Sequence, residues 1–437
     1  MIVLINPPGA PGYTANREGS GGLGVLEPGA GGFCYPPLTL AYAAAVLQAA
    51  GLPMQVVDAV GEGLDMGAAV QRVDDRAALC VVQASWGTRS ADAGFLQALR
   101  ADRPGVRVLL LAAALEQWDD GRLTSLADAW LLGEGEWATA LAAQAVVDGA
   151  RGALTPAALG LPGCSADGRR LDLAGLPRPA WDLLPWAGYP FLTALGSRGC
   201  PDACTYCPYV VGQGRRFRPR PPAEVAEELV WLARRFGPRR VILRDPVWAR
   251  DGERAAEIAD RLARADVGLA WECESRPEHL ADRALLRLLR RAGCTSVKVG
   301  VESTDGPLLA RLRRVAPGGE TAYLEAVQAA HDAGRRAGLA VRPFVLVGLP
   351  GQTRKSVQET ARFVEGLRPA ALHVKLWVAY PGTPLWAERG AAPGAAEVAE
   401  AQQCLRGVPL ARLPRPAAWR RLGAALRRRL AGRVGEP

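Results

Sequence analysis

Short apolar runs alternate with longer amphipathic stretches through the first 150 residues of the chain. The runs have the length and β-branched content of buried strands, and the stretches have the period of helices, notably Pro37–Ala50, Ala91–Ala101 and Trp137–Val147. Helices that cover both faces of a parallel sheet produce this alternation. We therefore predict a doubly wound, Rossmann-like α/β domain over residues 1–150, with strands at Ile2–Asn6, Gln55–Val60, Leu79–Ser85, Val106–Ala112 and Trp130–Leu132.

A second α/β region follows a proline-rich connector at residues 151–190, because proline at this density interrupts helices and central strands. Six apolar runs, each followed by a helical pattern, then predict a partial (β/α)6 barrel over residues 191–390. The predicted barrel strands are Leu192–Ser197, Arg240–Asp245, Leu269–Ser275, Ser296–Glu302, Val341–Gly348 and His373–Tyr380. Residues 391–437 are predicted to form a short basic helical region with an amphipathic helix at Trp419–Val434.

Composition narrows the class of protein. The net charge is +9, but residues 411–437 hold eight Arg and one Glu, so the rest of the chain is nearly neutral and nucleic-acid binding is not predicted. The most apolar stretch, Leu38–Ala50, is too short to span a bilayer, so we predict no stable membrane insertion. The N-terminus lacks the pattern of a signal peptide, and we expect a cytoplasmic protein.

Three closely spaced cysteines provide the strongest chemical signal. Cys200, Cys204 and Cys207 have the spacing C-x3-C-x2-C, which lets one loop bring three thiolates to an iron–sulfur cluster. A 4Fe-4S cluster held by three cysteines leaves one iron open to another ligand. The alternative is a zinc site, which needs a fourth ligand that only Cys273 or Cys294 could supply.

At this motif the chain resembles the radical S-adenosylmethionine (SAM) superfamily, in which SAM binds the open iron. Tyr206, beside the last cysteine, matches the aromatic residue that the superfamily places near the adenine. The resemblance implies SAM contacts at the ends of successive barrel strands. Asp245 and Ser275 are expected near the amino-acid and ribose portions, Arg276 near the carboxylate, Glu302 at the ribose hydroxyls and Gly348 at the adenine.

Four further charged residues fall on faces of the predicted strands that point into the barrel. They are Glu272, Glu274, Lys298 and Lys375. We treat them as candidate substrate contacts. A buried network of paired charges is the alternative explanation.

The N-terminal domain resembles the cobalamin-binding domain found in one large subfamily of radical SAM enzymes. The resemblance implies cobalamin contacts at Ser85, Trp86, Thr88, Gly133, Glu134 and Gly135. Two features depart from the pattern: no histidine precedes His279, and Ala112–Ala114 replaces the usual pair of glycines. The stretch Gly19–Gly24 fits the dinucleotide fingerprint in its letters, but no strand immediately precedes it, so we interpret it as a flexible loop.

The resemblance implies a cobalamin-dependent radical SAM methyltransferase, with a 4Fe-4S cluster, SAM and cobalamin as cofactors. Such an enzyme uses a 5′-deoxyadenosyl radical to activate an unactivated carbon, which then takes the methyl group of methylcobalamin. The alternatives are a cobalamin-dependent cyclase or rearrangement enzyme, a radical SAM enzyme that has lost cobalamin, and a cluster-bearing sensor that binds nucleic acid. We expect a small-molecule or peptide substrate and a reducing partner such as flavodoxin or ferredoxin.

Overall fold

The computed structural model describes residues 1–29, 32–391 and 394–410. The predicted basic helix at Trp419–Val434 lies outside these residues. Of the C-terminal region, the structure describes one helix, Ala395–Arg406.

The N-terminal region contains the predicted parallel sheet together with a hairpin that the sequence analysis did not predict. Its strands are β1 (Ile2–Asn6), β2 (Tyr13–Asn16), β3 (Val25–Pro28), β4 (Met54–Asp58), β5 (Leu79–Ala84), β6 (Arg107–Ala112), β7 (Ala129–Leu131) and β8 (Gly152–Leu154). Six of them form a parallel sheet in the order β4-β1-β5-β6-β7-β8. Strands β2 and β3 form a separate antiparallel pair.

Five helices accompany this sheet: α1 (Leu38–Ala49), α2 (Ala59–Glu62), α3 (Met66–Gln71), α4 (Arg89–Asp102) and α5 (Thr139–Val147). Alternate residues of β1 pack on opposite faces, as the two-residue period of a strand requires. Leu4 packs with α1 and α5, whereas Val3 and Ile5 pack with α3 and α4. The predicted doubly wound domain is confirmed.

Two boundaries differ from the sequence prediction for local reasons. Strand β4 ends at Asp58 because the Asp58 carboxylate accepts a hydrogen bond from the Gly61 backbone at 3.1 Å and begins α2. Strand β8 lies just beyond residue 150, in the segment predicted as connector. Its three residues are too few to give a periodic signal.

The second region is the predicted partial barrel. Its strands are β9 (Leu192–Ala194), β10 (Ser197–Arg198), β11 (Arg218–Pro219), β12 (Val241–Leu243), β13 (Trp271–Ser275), β14 (Cys294–Glu302), β15 (Ala340–Val347) and β16 (His373–Leu376). Six of these strands form one parallel sheet that follows chain order, β9-β12-β13-β14-β15-β16. The edge strands β9 and β16 are not paired with each other, so the barrel is open on one side.

The remaining helices are α6 (Tyr209–Gln213), α7 (Pro222–Phe236), α8 (Gly252–Ala265), α9 (Arg283–Arg291), α10 (Gly306–Arg311), α11 (Glu320–Ala337), α12 (Arg354–Leu367) and α13 (Ala395–Arg406). The connector joins the two regions through a shared hydrophobic core. Trp181 is fully buried there with Tyr42 and Trp137 of the N-terminal region and Leu192 and Trp248 of the barrel. This core fixes the strand ends of both sheets close to one another.

Candidate active site

The three motif cysteines line one cavity of about 160 Å³ at the carboxyl ends of the barrel strands. The structure brings most of the predicted SAM and substrate residues to the same cavity. They are Cys200, Cys204, Tyr206, Cys207, Glu274, Ser275, Arg276, Lys298 and Glu302. Active sites of (β/α) barrels lie at this end of the strands, and we therefore take this cavity as the candidate active site.

The cysteine loop is held by its own backbone. Gly199 has a φ of +81°, and a Cβ on it would lie 2.0 Å from the Arg216 carbonyl oxygen, so only glycine fits this position. The Cys200 amide donates to the Gly214 carbonyl at 3.1 Å, and the Thr205 amide donates to the Leu312 carbonyl at 2.9 Å. The loop is thus anchored to two separate parts of the barrel.

The chemistry of the three thiols fits an iron cluster. Burial raises the pKa of the Cys200 thiol to about 12, so a thiolate at this position needs a metal cation to stabilise it. In the described part of the chain, no three His, Cys, Asp or Glu side chains are arranged to hold one metal ion. A cluster differs in this respect, because each cysteine binds its own iron and the thiols need only face the same cavity.

Glu302 occupies a strained position beside the cysteine loop. It follows an irregularity in β14 and has a φ of +63°, a conformation that a non-glycine residue adopts at a cost and that clusters at functional sites. Its Oε1 accepts a hydrogen bond from the Tyr206 hydroxyl at 3.0 Å. Burial raises the pKa of Glu302, although Arg314 opposes that shift. The second carboxylate oxygen accepts no hydrogen bond from a described residue and is available to a ligand.

Arg276 links the cavity to the cysteine loop. Its guanidinium lies 3.8 Å from the Cys204 sulfur and 3.6 Å from the Asp202 carboxylate. It also donates to the Arg314 carbonyl at 2.9 Å. The hydroxyl of Ser275 accepts a hydrogen bond from the Ala249 amide at 3.3 Å. Both side chains face the cavity as predicted, and their SAM contacts stay a prediction.

Glu274 and Lys298 form an ion pair of 3.2 Å within the cavity. Burial would raise the pKa of Glu274, but the charges of Lys298 and Arg244 outweigh it and lower the pKa below its usual value. Glu274 is therefore ionised at neutral pH.

Glu272 lies deeper in the barrel and not in the cavity. It is paired with Arg240 at 3.2 Å and Arg342 at 3.4 Å, so the alternative of a satisfied charge network describes it better than substrate contact. The reason is its place in β13, one inward position before Glu274. Lys375 is also absent from the cavity lining, because β16 is the exposed edge strand.

We expect the substitution Glu272→Gln to lower stability and leave SAM cleavage intact. Loss of the carboxylate leaves two partly exposed arginines unpaired, which costs about 1 to 3 kcal/mol. The measurements are the melting temperature and the 5′-deoxyadenosine formed by the reconstituted protein, with Glu274→Gln as the comparison. Unchanged stability together with lost SAM cleavage would instead assign Glu272 to the site.

Asp245 and Gly348 do not line the cavity. Asp245 is buried and accepts hydrogen bonds from the Gly196 amide at 2.9 Å and the Ser197 hydroxyl at 2.5 Å, so it positions the chain ahead of the cysteine loop. Gly348 lies against Val398 of α13 and lines a different cavity. The sequence pattern could not reveal that α13 packs there.

Of the six predicted cobalamin residues, only Gly133 and Glu134 line a second cavity, between the two regions. Glu134 is paired with Arg218 at 2.6 Å and Arg198 at 3.2 Å. Gly135 instead packs on Leu131, whose Cβ would lie 2.5 Å from an added methyl group. The sequence analysis did not predict the two arginines, because ion pairs between distant segments leave no local signal.

Ser85, Trp86 and Thr88 are engaged elsewhere. The hydroxyls of Ser85 and Thr88 lie 2.7 Å apart, and Thr88 donates to the buried Asp92 carboxylate at 2.7 Å. Trp86 packs on the ring of Tyr380 at 5.2 Å, across the junction with the barrel. The structure therefore does not present these three side chains to an open site.

The glycine-rich stretch forms a packed segment between the two regions. We call residues 17–24, which join β2 to β3, the glycine segment. A Cβ on Gly24 would lie 2.0 Å from the Ser85 hydroxyl, and one on Gly21 would lie 2.8 Å from the Tyr209 Cα. The segment thus spans from the ends of the N-terminal strands to the helix that follows the cysteine loop, and its glycines allow these close contacts.

This segment determines how well the second cavity fits cobalamin. The cavity holds only about 70 Å³, whereas pockets for drug-sized ligands hold about 300 to 1,000 Å³. A corrin is larger still. The residues at these strand ends therefore do not fit a corrin in the described conformation.

Comparisons with known proteins agree with the barrel assignment. Residues 195–364 match the sequence model of the Radical SAM superfamily, the range that holds the cysteine motif. This part of the chain is a radical SAM domain. The match implies a 4Fe-4S cluster and SAM as its cofactors, and the cysteine-lined cavity fits both.

Among curated proteins, the chain is similar to an uncharacterized methyltransferase of Pyrococcus horikoshii, with 28% identity over 48% of this chain and 46% of that protein. It is also similar to the anaerobic magnesium-protoporphyrin IX monomethyl ester cyclase of Rubrivivax gelatinosus, with 26% identity over 48% of this chain and 38% of that protein. The chain thus spans less than half the length of these relatives.

The fold around the radical SAM domain is similar to that of the radical SAM methyltransferase TsrM from Kitasatospora setae, solved with cobalamin and a 4Fe-4S cluster bound. The TM-score is 0.68 at 18% identity, covering 89% of this chain and 77% of that chain. This likeness shows that the chain has the two-domain fold of that enzyme. No helix among the described residues is long and apolar enough to cross a membrane.

Proposed function

We propose that this chain is a radical SAM enzyme that transfers a methyl group from methylcobalamin to an unactivated carbon of a biosynthetic substrate. The observation that carries the radical SAM part is the convergence of three cysteines, Tyr206, Arg276 and Glu302 on one cavity. The fold likeness and the relative named as a methyltransferase support the methyl-transfer part.

Bound cluster and SAM supply one-electron chemistry that activates a carbon–hydrogen bond. The residues of this chain bind and orient. The three cysteines hold the cluster, Arg276 places a positive charge beside it, and Glu302 offers a fixed carboxylate oxygen to a hydroxyl group. The walls of the half barrel and the covering N-terminal region exclude water from the cavity.

A second candidate is a radical SAM enzyme without cobalamin. The glycine segment favours it, because the chain's own backbone fills the space between the strand ends and the cysteine loop. Ala113 contributes as well, since a Cβ on Gly22 would lie 2.9 Å from its methyl group. In this reading the N-terminal domain supports the barrel and holds no cofactor.

Anaerobic reconstitution separates these candidates. The full chain is treated with iron, sulfide and hydroxocobalamin and then desalted, and its iron content and visible spectrum are recorded. We expect about four irons per chain and one corrin. Four irons without corrin would leave the second candidate, and a chain without iron would contradict both.

The methyl-transfer step has its own readout. With labelled SAM, a methyltransferase gives methylated product together with S-adenosylhomocysteine. A cyclase or rearrangement enzyme gives neither. This comparison also tests the electron donor, since flavodoxin and ferredoxin can each be supplied as the reductant.

A further inference from the structure

Positive charge exceeds negative charge around Glu274 at the mouth of the barrel. Lys298, Arg244 and Lys375 all act electrostatically on this one carboxylate. Only Lys298 is paired with it. Neither Arg244 nor Lys375 forms an ion pair with a carboxylate among the residues that the structure describes.

Arg244 is a buried cation that the proposed reaction does not yet use. It follows β12 at the carboxyl end of the sheet, and its guanidinium carbon lies 3.6 Å from the centre of the Tyr35 ring. Its one hydrogen bond among described residues is donated to the Glu18 carbonyl at 2.8 Å. A buried guanidinium normally has an anionic partner, and here the protein supplies only a neutral one.

Lys375 approaches the same region from the open edge of the barrel. Strand β16 pairs with β15 so that His373 is opposite Phe344 and Lys375 is opposite Leu346. The Phe344 ring lies 4.8 Å from His373 and 5.8 Å from the Lys298 ammonium. Because residues two apart share one face of a strand, Lys375 is on the face that His373 turns toward the lumen.

Two tyrosine hydroxyls add hydrogen-bond donors. Tyr209 lines the cysteine cavity, and Tyr35 carries the stacked Arg244. Both are half-buried, and neither hydroxyl has a hydrogen-bond partner among the described residues. Half-buried hydroxyls without a protein partner are available to a ligand.

We propose that the substrate of this site is an organic anion, whose carboxylate or phosphate group binds between Arg244 and Lys375 with the hydroxyls of Tyr35 and Tyr209 as further donors. The proposal rests on the radical SAM function and specifies its substrate class. The anion compensates the unpaired charges, and its distance from the cluster places the remainder of the molecule in the cysteine cavity. Guanidinium and ammonium groups with hydroxyl donors suit both oxyanions.

The test uses two matched lysines. Lys375 and Lys355 are both exposed, but Lys355 lies on α12 and pairs with Glu359 of the same helix at 3.9 Å. Reconstituted wild type, Lys375→Glu and Lys355→Glu are titrated calorimetrically at constant ionic strength with succinate, inorganic phosphate and uncharged succinamide. Arg244→Gln is a second variant of the site.

We expect saturable binding of succinate or phosphate, whichever matches the natural group, and none of succinamide. Lys375→Glu and Arg244→Gln should each raise the dissociation constant about tenfold or more, the effect of one lost charge-assisted hydrogen bond. Lys355→Glu should leave it unchanged. Absence of anion binding, equal binding of succinamide or equal effects of the two lysine variants would overturn the proposal.

Iron content and SAM cleavage are measured on the same samples. A protein that holds its cluster and cleaves SAM but binds neither anion contradicts the substrate class alone. A protein that holds no cluster contradicts the proposed function, whatever its affinity for anions. The two failures are therefore distinguishable.

Discussion

Replacing Cys204 by Ser abolishes iron binding and SAM cleavage, whereas replacing Cys164 by Ser changes neither. Cys204 lines the candidate active site beside Arg276, and its thiolate is one of only three protein ligands to the cluster. Two thiolates hold a cluster poorly, so we expect iron to fall from about four per chain to below one. The measurements are iron content, the visible absorption of the cluster and 5′-deoxyadenosine formation.

Cys164 is a suitable control because it lies in the connector, where its thiol donates to the Leu161 carbonyl at 3.1 Å. Iron retained in full by Cys204→Ser would contradict the assignment of the cluster ligands. Zinc analysis of the same samples tests the other metal. One zinc per chain in the wild type, lost in Cys204→Ser, would support the zinc site that the sequence left open.

Replacing Gly24 by Ala is expected to destabilise the chain more than any other single alanine in the glycine segment. Gly24 has a φ of +72°, and its new Cβ would lie 2.0 Å from the Ser85 hydroxyl. Strain in the left-handed region and overpacking together cost about 2 to 4 kcal/mol. The measurement is the apparent melting temperature.

Gly12→Ala isolates the effect of packing from that of the backbone. Gly12 has a φ of +78°, close to that of Gly24, but no atom lies within 4 Å of an added Cβ. We therefore expect Gly12→Ala to cost only the backbone strain, about 1 kcal/mol. Equal losses for the two variants would mean that the segment is not packed against Ser85, and the argument for a filled corrin space would fail with it.

Local sequence was sufficient to predict the elements and the cluster ligands. The buried strands carry continuous apolar runs, as in Ile2–Asn6, and the cysteine spacing is itself short-range information. Lumen-facing positions on β13 and β14 also followed from the two-residue period, which is why Glu274, Lys298 and Glu302 lie in the cavity. Depth along a strand was not predictable, and Glu272 was therefore misplaced.

Errors concentrate where distant segments meet. Gly348 lies against α13, and no pattern near residue 348 encodes that contact. Ser85 and Thr88 have the small hydroxyl side chains expected of a cofactor loop, yet they bond to Asp92 and lie beneath Gly24. Arg244 was read as a strand end, although its surroundings come from four separate parts of the chain.

The sequence by itself determined the two α/β regions, the open barrel and the three cysteines, because each depends on periodicity or on spacing within a few residues. Only the tertiary structure decided what occupies the space between the regions. A glycine permits close approach wherever it stands, but its neighbour is chosen by the packing of the whole chain. For Gly19–Gly24 that neighbour is the junction between the N-terminal strand ends and the radical SAM domain, and not a phosphate or open solvent.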